Sequence, residues 1–599
     1  MSAGTEIKSG GLVTFDIKVE GSTIPDEIEI ERIVVEKSVN RISKATIVVL
    51  DGNASKEGFA VSSSKTFVPG NKVRIEAGYD SENEIIFEGI VTKQSINIHG
   101  SIGPTLEIEC RDEAIRMIVG RKSLTYAKKK DSEIITSIIN TYSGVSAEVT
   151  ATKTKWPEQV QYYTTDWDFI LARAEVNGMI VTTLNGKVAV FPPDKDKKSV
   201  LEIEYGNNLL EFKADLDAIT QLSSVKGDAW GYPTQKVVNG SAANTYAGPG
   251  NLSSKKLSEV VGLKDFKVQT TAPLEATDLT NWSKAAMLKS EFSKIRGEVK
   301  FQGSNKVNPG KYITLDGLGD RFNGDHLMSS VVHTVGNGNW ITEVSVGLSP
   351  VWFTEEPDVM APPASGLLPG VQGLFNATVK KMYEDPDSQY RILIDIPLFD
   401  PNGQGIWARL ANFYATSGAG AFFLPEVGDE VVVGFLNEDP RYPIILGSLY
   451  SSTKNKPYKT LSPNQKNTKK AIVSKQGIFI EFDDENKVFT IETPNKNTAV
   501  FDDKSKEITI KDQNSNSIVM SSSGIVIKSA KNISIEANQK LTLKGKQGVA
   551  IESSPGDVTV KGTNIKQTAN VKLSAKGNAQ AELTGGAQTT IKGAMVMIN

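Results

Sequence analysis

The sequence predicts a mainly β chain with minor α content, closing in a triple-stranded β-helix (a β-prism) that a homotrimer winds together. Three observations predict this. Apolar and polar residues alternate with period two over most of residues 11–349. Only three stretches there read as helical. From Gly524 onward, apolar pairs two residues apart recur about every eight residues.

Composition narrows the function classes. The chain has 599 residues, enough for several domains, and a net charge of −3, so as a whole it is not a polyanion binder. Its one cysteine, Cys110, excludes an intrachain disulfide framework and a Cys-rich metal site. His99, His326 and His333 are the only histidines, which leaves little for His-based hydrolysis or zinc chemistry. Apolar runs such as Val431–Val433 are far shorter than the ~20 residues of a membrane helix. The start, MSAGTEIKSGGLVTFDIKVE, has no signal-peptide core, so synthesis in the bacterial cytoplasm without a leader is expected.

In chain order, LVTFDIKV, IEIERIVVEK, KATIVVL, KVRIEAGY, EIIFEGIV and TLEIEC read as strands separated by Gly, Pro, Asn or Ser turns. Residues 131–142 and 165–178 read as helices, each opening on an acidic or Thr/Asp cap, the second closing at Gly178. Strands resume around the Asn185-Gly186 turn and run to about Ser349, interrupted by a helix over 281–295. Pro, Gly and small residues mark a linker at 354–371, and a polar stretch marks a second at 451–476. The expected divisions are 1–353, a compact strand-rich block at 372–450, and a repetitive zone at 477–599.

That zone carries the clearest architecture signal. The pairs are Ile525/Ile527, Ile533/Ile535, Leu541/Leu543, Val549/Ile551, Val558/Val560 and Val571/Leu573. Residues i and i+2 share one face of a strand, and a five-residue strand with a three-residue turn cannot bury its own pair. Eight residues per strand allow a three-sided coil of one chain or three chains about a common axis. No aromatic residue occurs after Phe501, as a narrow shared core requires. From Ser521 onward ten lysines face four acidic residues, so the outer surface is basic.

Residues 420–450, GAFFLPEVGDEVVVGFLNEDPRYPIILGSLY, closely resemble the OB-fold signature of the VgrG (Rhs-element Vgr) spike family. The family string P-x-x-G-x-E-V-V-V-x-F-x-x-x-D-P-x-x-P-x-I-x-G-x-x-Y falls on Pro425, Gly428, Glu430 through Val433, Phe435, Asp439, Pro440, Pro443, Ile445, Gly447 and Tyr450. Trp407 and Arg409 match its W-A-R strand, and TDWDFILARAEVNGMIV is similar to the hub helix of that family. The terminal IKGAMVMIN is similar to the usual needle end.

The resemblance implies a contractile injection machine: type VI secretion, an extracellular phage-tail-like particle, or a phage tail, similar to fused phage hub and needle proteins. It implies β-barrel hub domains with helical insertions over 1–353, an OB-fold collar at 372–450 and a needle at 477–599. Residues 11–110 and 200–349 would supply six similar surfaces per trimer for a sixfold tail tube. The implied partners are two further copies, an Hcp-like tube protein and baseplate proteins at the hub, effector cargo, and a PAAR-repeat tip protein on Met595, Val596, Met597, Ile598 and Asn599. No cofactor, metal or nucleic acid is expected, and the particle would be ejected or released on firing.

Candidate chemistry is sparse. Asp166, Asp168 and Glu175 lie on one helix, where helix-end charge and a salt bridge are the expected uses. His326 and His333, seven apart in a strand, are expected on opposite faces. Ser62 and Lys65 match S-x-x-K without partners. Cys110 is expected as a buried small residue. The block's aromatics, Phe399, Trp407, Phe413, Tyr414, Phe422 and Phe423, are expected in core and trimer contacts rather than stacking bases. A structural spike without catalysis is the leading reading. The alternatives are a β-helical tail-associated polysaccharide-degrading enzyme and an adhesin-like binding module.

Overall fold

In the computed structural model, residues 11–100, 103–194, 196–356, 359–399, 403–458, 461 and 463–598 are described. The chain divides into two units, Met1–Leu449 and Tyr450–Asn599.

Period-two alternation builds the first unit. Ile33 and Val35, Ala45 and Ile47, Val73 and Ile75, and Leu106 and Ile108 turn inward from four strands into one core. Leu201 and Ile203, Val299 and Phe301, Ile313 and Leu315, and Val344 and Val346 form a second core. Both lobes belong to one 13-stranded sheet. The seam is the antiparallel pairing of Ile30–Ser38 with Gly324–Gly336, from Ser330 opposite Ser38 to Gly336 opposite Arg32. Val335 and Trp340 of the second lobe pack in the core of the first, so the lobes share side chains as well as a ladder.

Among the described residues four α-helices interrupt the strands: α1 (Asp131–Ile139), α2 (Asp166–Val176), α3 (Ser254–Val261) and α4 (Ala276–Phe292). Thr165 caps α2 by accepting from the Asp168 N–H at 3.0 Å, and Gly178 follows with φ +67°. The N-cap of α1 is Lys130 rather than an acidic residue, because Asp131 is drawn inward to Arg173. α4 starts five residues before the expected 281. α3 lies in a stretch read as strand, although Ser253 and Gly262 bracket it as cap and left-handed stop. α4 lies against the sheet of Ser224–Gly231, Lys236–Ala243 and Phe266–Thr270; a Cβ at Gly240 would stand 2.3 Å from Thr280 N.

The end of α4 holds the 244–252 loop through two buried charges. Lys294 Nζ donates to the carbonyls of Ala247 at 2.7 Å, Pro249 at 2.5 Å and Leu252 at 2.9 Å. Burial pushes the Glu291 carboxyl up to about 7, against backbone N–H bonds from Thr245 and Tyr246. A raised folded value means stability that is full below the unfolded pKa and is lost as pH rises through about 7, on the order of 3 kcal/mol in all. Glu291→Gln is expected to flatten that slope and to melt higher than the parent at pH 8, read by calorimetry across pH 5–8.

A closed five-stranded barrel follows: Phe375–Lys381, Ile392–Asp395, Ile406–Leu410, Glu430–Phe435 and Pro443–Ser448. Ala377, Val379, Ile392, Ile394, Val431, Val433 and Ile445 fill it. The preceding Pro-rich segment is not free of the barrel: Val371 N–H donates to Glu438 O at 2.8 Å, and Asn437 to Ser365 Oγ at 3.0 Å.

In the second unit, seven strands pair antiparallel in chain order, from Lys469–Val473 to Gly524–Lys528. The ladder therefore begins inside the stretch read as a linker to residue 476. After Lys528 the described chain has no assigned strand. Bends at 530–531, 538–539, 546–547, 554–556, 563, 570–571, 578–579, 586–587 and 594 carry the period of eight through the looser distal repeats. No helix among the described residues is long and apolar enough to cross a membrane.

Candidate functional site

The seven-stranded ribbon is one layer thick, and its register sorts it into two unlike faces. Phe482, Phe489, Phe501, Ile508, Met520 and Ile525 stand opposite one another in turn, one unbroken column across six strands. Ile480, Ile491, Ala499, Ile510, Ile518 and Ile527 form a second column beside it. Aromatic rings meet at 5.1 Å (Phe482 and Phe489) and 5.9 Å (Phe489 and Phe501). The reverse face mixes Thr490, Val500 and Thr509 with charge, including a 2.8 Å pair of Lys469 and Glu481. Asp483, Asp502 and Asp512 close the turns by accepting two backbone N–H bonds each, from Glu485 and Asn486, Lys504 and Ser505, and Asn514 and Asn516.

Nothing among the described residues of the second unit covers the apolar face. Phe501 is 43% exposed and Ile510 46%. Beyond the ribbon, Ile533, Ile535, Leu541, Leu543, Val549, Ile551, Val558, Val560 and Leu573 are all more than half exposed, and Val571 is 98% exposed. Burying such a side chain fully is worth about 1.5–3 kcal/mol, so a ladder of them left in water marks an interaction surface. Ile525 and Ile527 belong to the ribbon's last strand and are exposed as well. Met595, Val596, Met597 and Ile598 end the run exposed, while Asn599 lies outside the described residues. Reading apolar pairs alone missed Ile565, Leu583 and Ile591, single apolar residues of the looser repeats, and the two ribbon columns. Aligning turn to turn, rather than pair to pair, would have found both.

The barrel signature residues build a hairpin. Gly428 takes φ +90° in the turn that joins buried Pro425 to Asp429, and its N–H donates to Val379 O at 2.8 Å. Glu430 accepts from Asn376 at 2.8 Å, and Phe435 stacks on Phe399 at 5.5 Å. Asp439 receives the Arg441 guanidinium at 3.0 and 2.7 Å, which holds its carboxyl below the usual range; Pro440 follows it in this turn, and Gly447 stands opposite Val432 at a bulge. Phe413, Phe422 and Phe423 do not pack in the core as expected: they are 89%, 70% and 62% exposed around a two-residue-stranded hairpin.

The candidate catalytic residues disperse. Burial alone would raise the Asp166 carboxyl, but bonds from Gln161 at 2.9 Å and from Lys122 and Tyr142 at 2.6 Å hold it low. Asp168 accepts from the Thr165 hydroxyl at 2.6 Å. Glu175 pairs with Lys289 and receives the Phe353 N–H at 2.8 Å. A bulge near Ser329 cancels the parity that would set His326 and His333 on opposite faces: Met328 and Val331 share one core. The two imidazoles still have separate partners, Phe322 O at 2.7 Å and Thr342 Oγ1 at 3.0 Å. Cys110 is buried and its thiol is pushed up to about 12 by burial. Ser62 is tied through its N–H to Asp51 at 2.7 Å, and Lys65 is exposed. No group of three or more His, Cys, Asp or Glu able to hold a metal occurs among the described residues.

Family comparison finds three matched stretches. Residues 9–337 match the Alg8 N-terminal domain, residues 375–450 the type VI secretion system/phage-baseplate injector OB domain, and residues 488–542 the phage baseplate V C-terminal trimerisation domain. The chain belongs to the VgrG spike family, and its first half is an Alg8 N-terminal domain. Among curated VgrG relatives, the type VI secretion system spike protein VgrG3 of Vibrio cholerae is 48% identical over 52 residues, 9% of this chain and 5% of that protein. The spike protein VgrG4b of Pseudomonas aeruginosa is 33% identical over 84 residues, 13% of this chain and 10% of that protein. The actin cross-linking toxin VgrG1 of Vibrio cholerae is 44% identical over 52 residues, 9% of this chain and 5% of that protein. The match thus spans a tenth or less of the length of each of these relatives. Among solved structures, a prophage tail protein from Shewanella oneidensis aligns with 56% of this chain and 98% of its own at 12% identity and a TM-score of 0.43. The VgrG complex with PdpA from Francisella aligns over 87% of this chain and 80% of its own at 10% identity and a TM-score of 0.35.

Proposed function

We propose that three copies of this chain assemble into the structural spike of a contractile injection system and catalyse nothing. The single observation that carries this reading is the uncovered apolar ladder of the second unit. Two ribbon columns run into octads whose apolar pairs have no cover within one chain, and a threefold axis supplies that cover. Identical chains closing about an axis satisfy both the apolar face and the backbone groups of the distal run. In this reading the needle is 477–599 together with the ribbon strand that precedes it, the barrel at 372–450 is a collar, and residues 1–353 are the hub.

The hub docks on the tail tube and baseplate. Met595 through Asn599 seat a PAAR-repeat tip protein. The assembly forms in the cytoplasm, and the spike punctures the target envelope and delivers effectors on firing. The exposed Phe413, Phe422 and Phe423 support further contacts between copies at the collar.

Light scattering of the full chain is expected to give three times 64.8 kDa; a monomer would overturn the reading. Phe501→Ser, which removes a ring from the middle of the aromatic column, is expected to lower the dissociation temperature of that trimer. The loss is about 3–5 kcal/mol per chain, the usual cost of deleting a buried aromatic.

A further inference from the structure

The seam between the two hub lobes buries a positive charge and an excess of hydrogen-bond donors. Lys37 lies on Ile30–Ser38 opposite Val331, and His333 opposite Val35, so both share the inward face of the paired strands. Thr342 and Trp340 stand across from His333 and Val335 on the neighbouring strand. Lys37, His333, Trp340 and Thr342 are each 4% exposed or less.

The donors outnumber their acceptors. Lys37 Nζ has one hydrogen-bond partner, Asn308 Oδ1 at 2.9 Å, and no carboxylate within salt-bridge distance among the described residues. Thr342 Oγ1 accepts the Ser304 N–H at 3.2 Å and lies 3.0 Å from His333 Nδ1. With the hydroxyl proton given to Nδ1, the ring proton sits on Nε2. Burial holds the imidazole neutral, far below its ordinary pKa. His333 Nε2 and Trp340 Nε1 then both carry hydrogens, both are buried, and neither is bonded to the protein. Their rings lie 5.8 Å apart.

We propose that this seam binds a small monovalent anion of halide size, held by Lys37 Nζ, His333 Nε2 and Trp340 Nε1. A water molecule needs acceptors for its two hydrogens, and the unpartnered groups here are donors. An anion accepts from all three and neutralises an ammonium that is otherwise buried without a counter-charge. The site joins a strand of residues 30–38 to strands of residues 324–346, so its occupant fastens the lobes to each other.

The test uses the full chain, melted in sodium bromide, sodium chloride and sodium isethionate at equal ionic strength. Bromide and chloride are expected to raise the hub transition by roughly 2–4 °C over isethionate, saturably. Lys37→Met is expected to abolish the difference and Trp340→Phe to shift its midpoint to higher halide. Crystals grown in bromide are expected to show an anomalous peak among the three nitrogens, a result that needs no variant to fold. Identical melting in all three salts, or density at the seam without anomalous signal, would overturn the proposal. Both readouts concern the hub alone, so neither outcome bears on trimer formation.

Discussion

Val560→Asp in the full chain is expected to abolish the proposed trimeric needle. In the proposed trimer the Val558/Val560 level would turn inward, so three carboxylates would meet at one height of a narrow apolar core. An unpaired buried carboxylate costs several kcal/mol, and three of one sign at one level compound it. The expected result is a fall in scattering mass toward 64.8 kDa. Val560→Ile, which keeps the level apolar, should leave the mass unchanged. Unaltered melting of the Asp variant would show that these residues do not face a shared interior.

Arg173→Met is expected to destabilise the first unit strongly. Asp131 is 1% exposed, and its carboxylate receives Arg173 Nε at 2.8 Å and a second guanidinium nitrogen at 2.9 Å. Asn177 at 2.9 Å and Trp156 Nε1 at 3.0 Å complete its shell. Burial alone would raise this carboxyl, but the Arg173 bond and charge, with Asn177 and Trp156, hold it below the ordinary value. Removing the guanidinium leaves a buried charge without its partner, a loss of about 3–5 kcal/mol. Because the folded pKa is depressed, the contribution is present above the unfolded value of about 3.9 and is lost as pH falls through the folded value. Urea unfolding followed by tryptophan fluorescence should show the parent losing this increment on acidification. The Arg173→Met chain should lack it, and Asp131→Asn added to Arg173→Met should recover part of the loss.

Local pattern and long-range pairing differ in how legible they are in this chain. α2 is readable because Thr165 and Gly178 bracket it within fourteen residues. The barrel is readable because Pro425, Gly428 and Asp439 each shape a turn a few residues long. The octads are readable because eight residues hold one apolar group or pair and one bend. α3 was missed because it is short and stands among strands, so its two caps were the only local sign. The sharing of one face by His326 and His333 was missed because a single bulge residue reverses side-chain parity downstream. The exposure of the three phenylalanines of the barrel hairpin, expected in core and trimer contacts, was not legible because aromatic character says nothing about which side of a loop meets water.

The amino-acid sequence by itself determined the β class, the barrel at its centre and the eight-residue ladder at its end, because period, turn chemistry and motif act over a handful of neighbouring residues. Tertiary structure alone decided that strand 30–38 marries strand 324–336 into one sheet, that Lys37 is thereby enclosed, and that in-chain pairing stops at Lys528. A strand's alternation states that it needs a partner and a covered face. Which partner supplies them, nearly 300 positions away or on another chain, is settled by the packing of the whole.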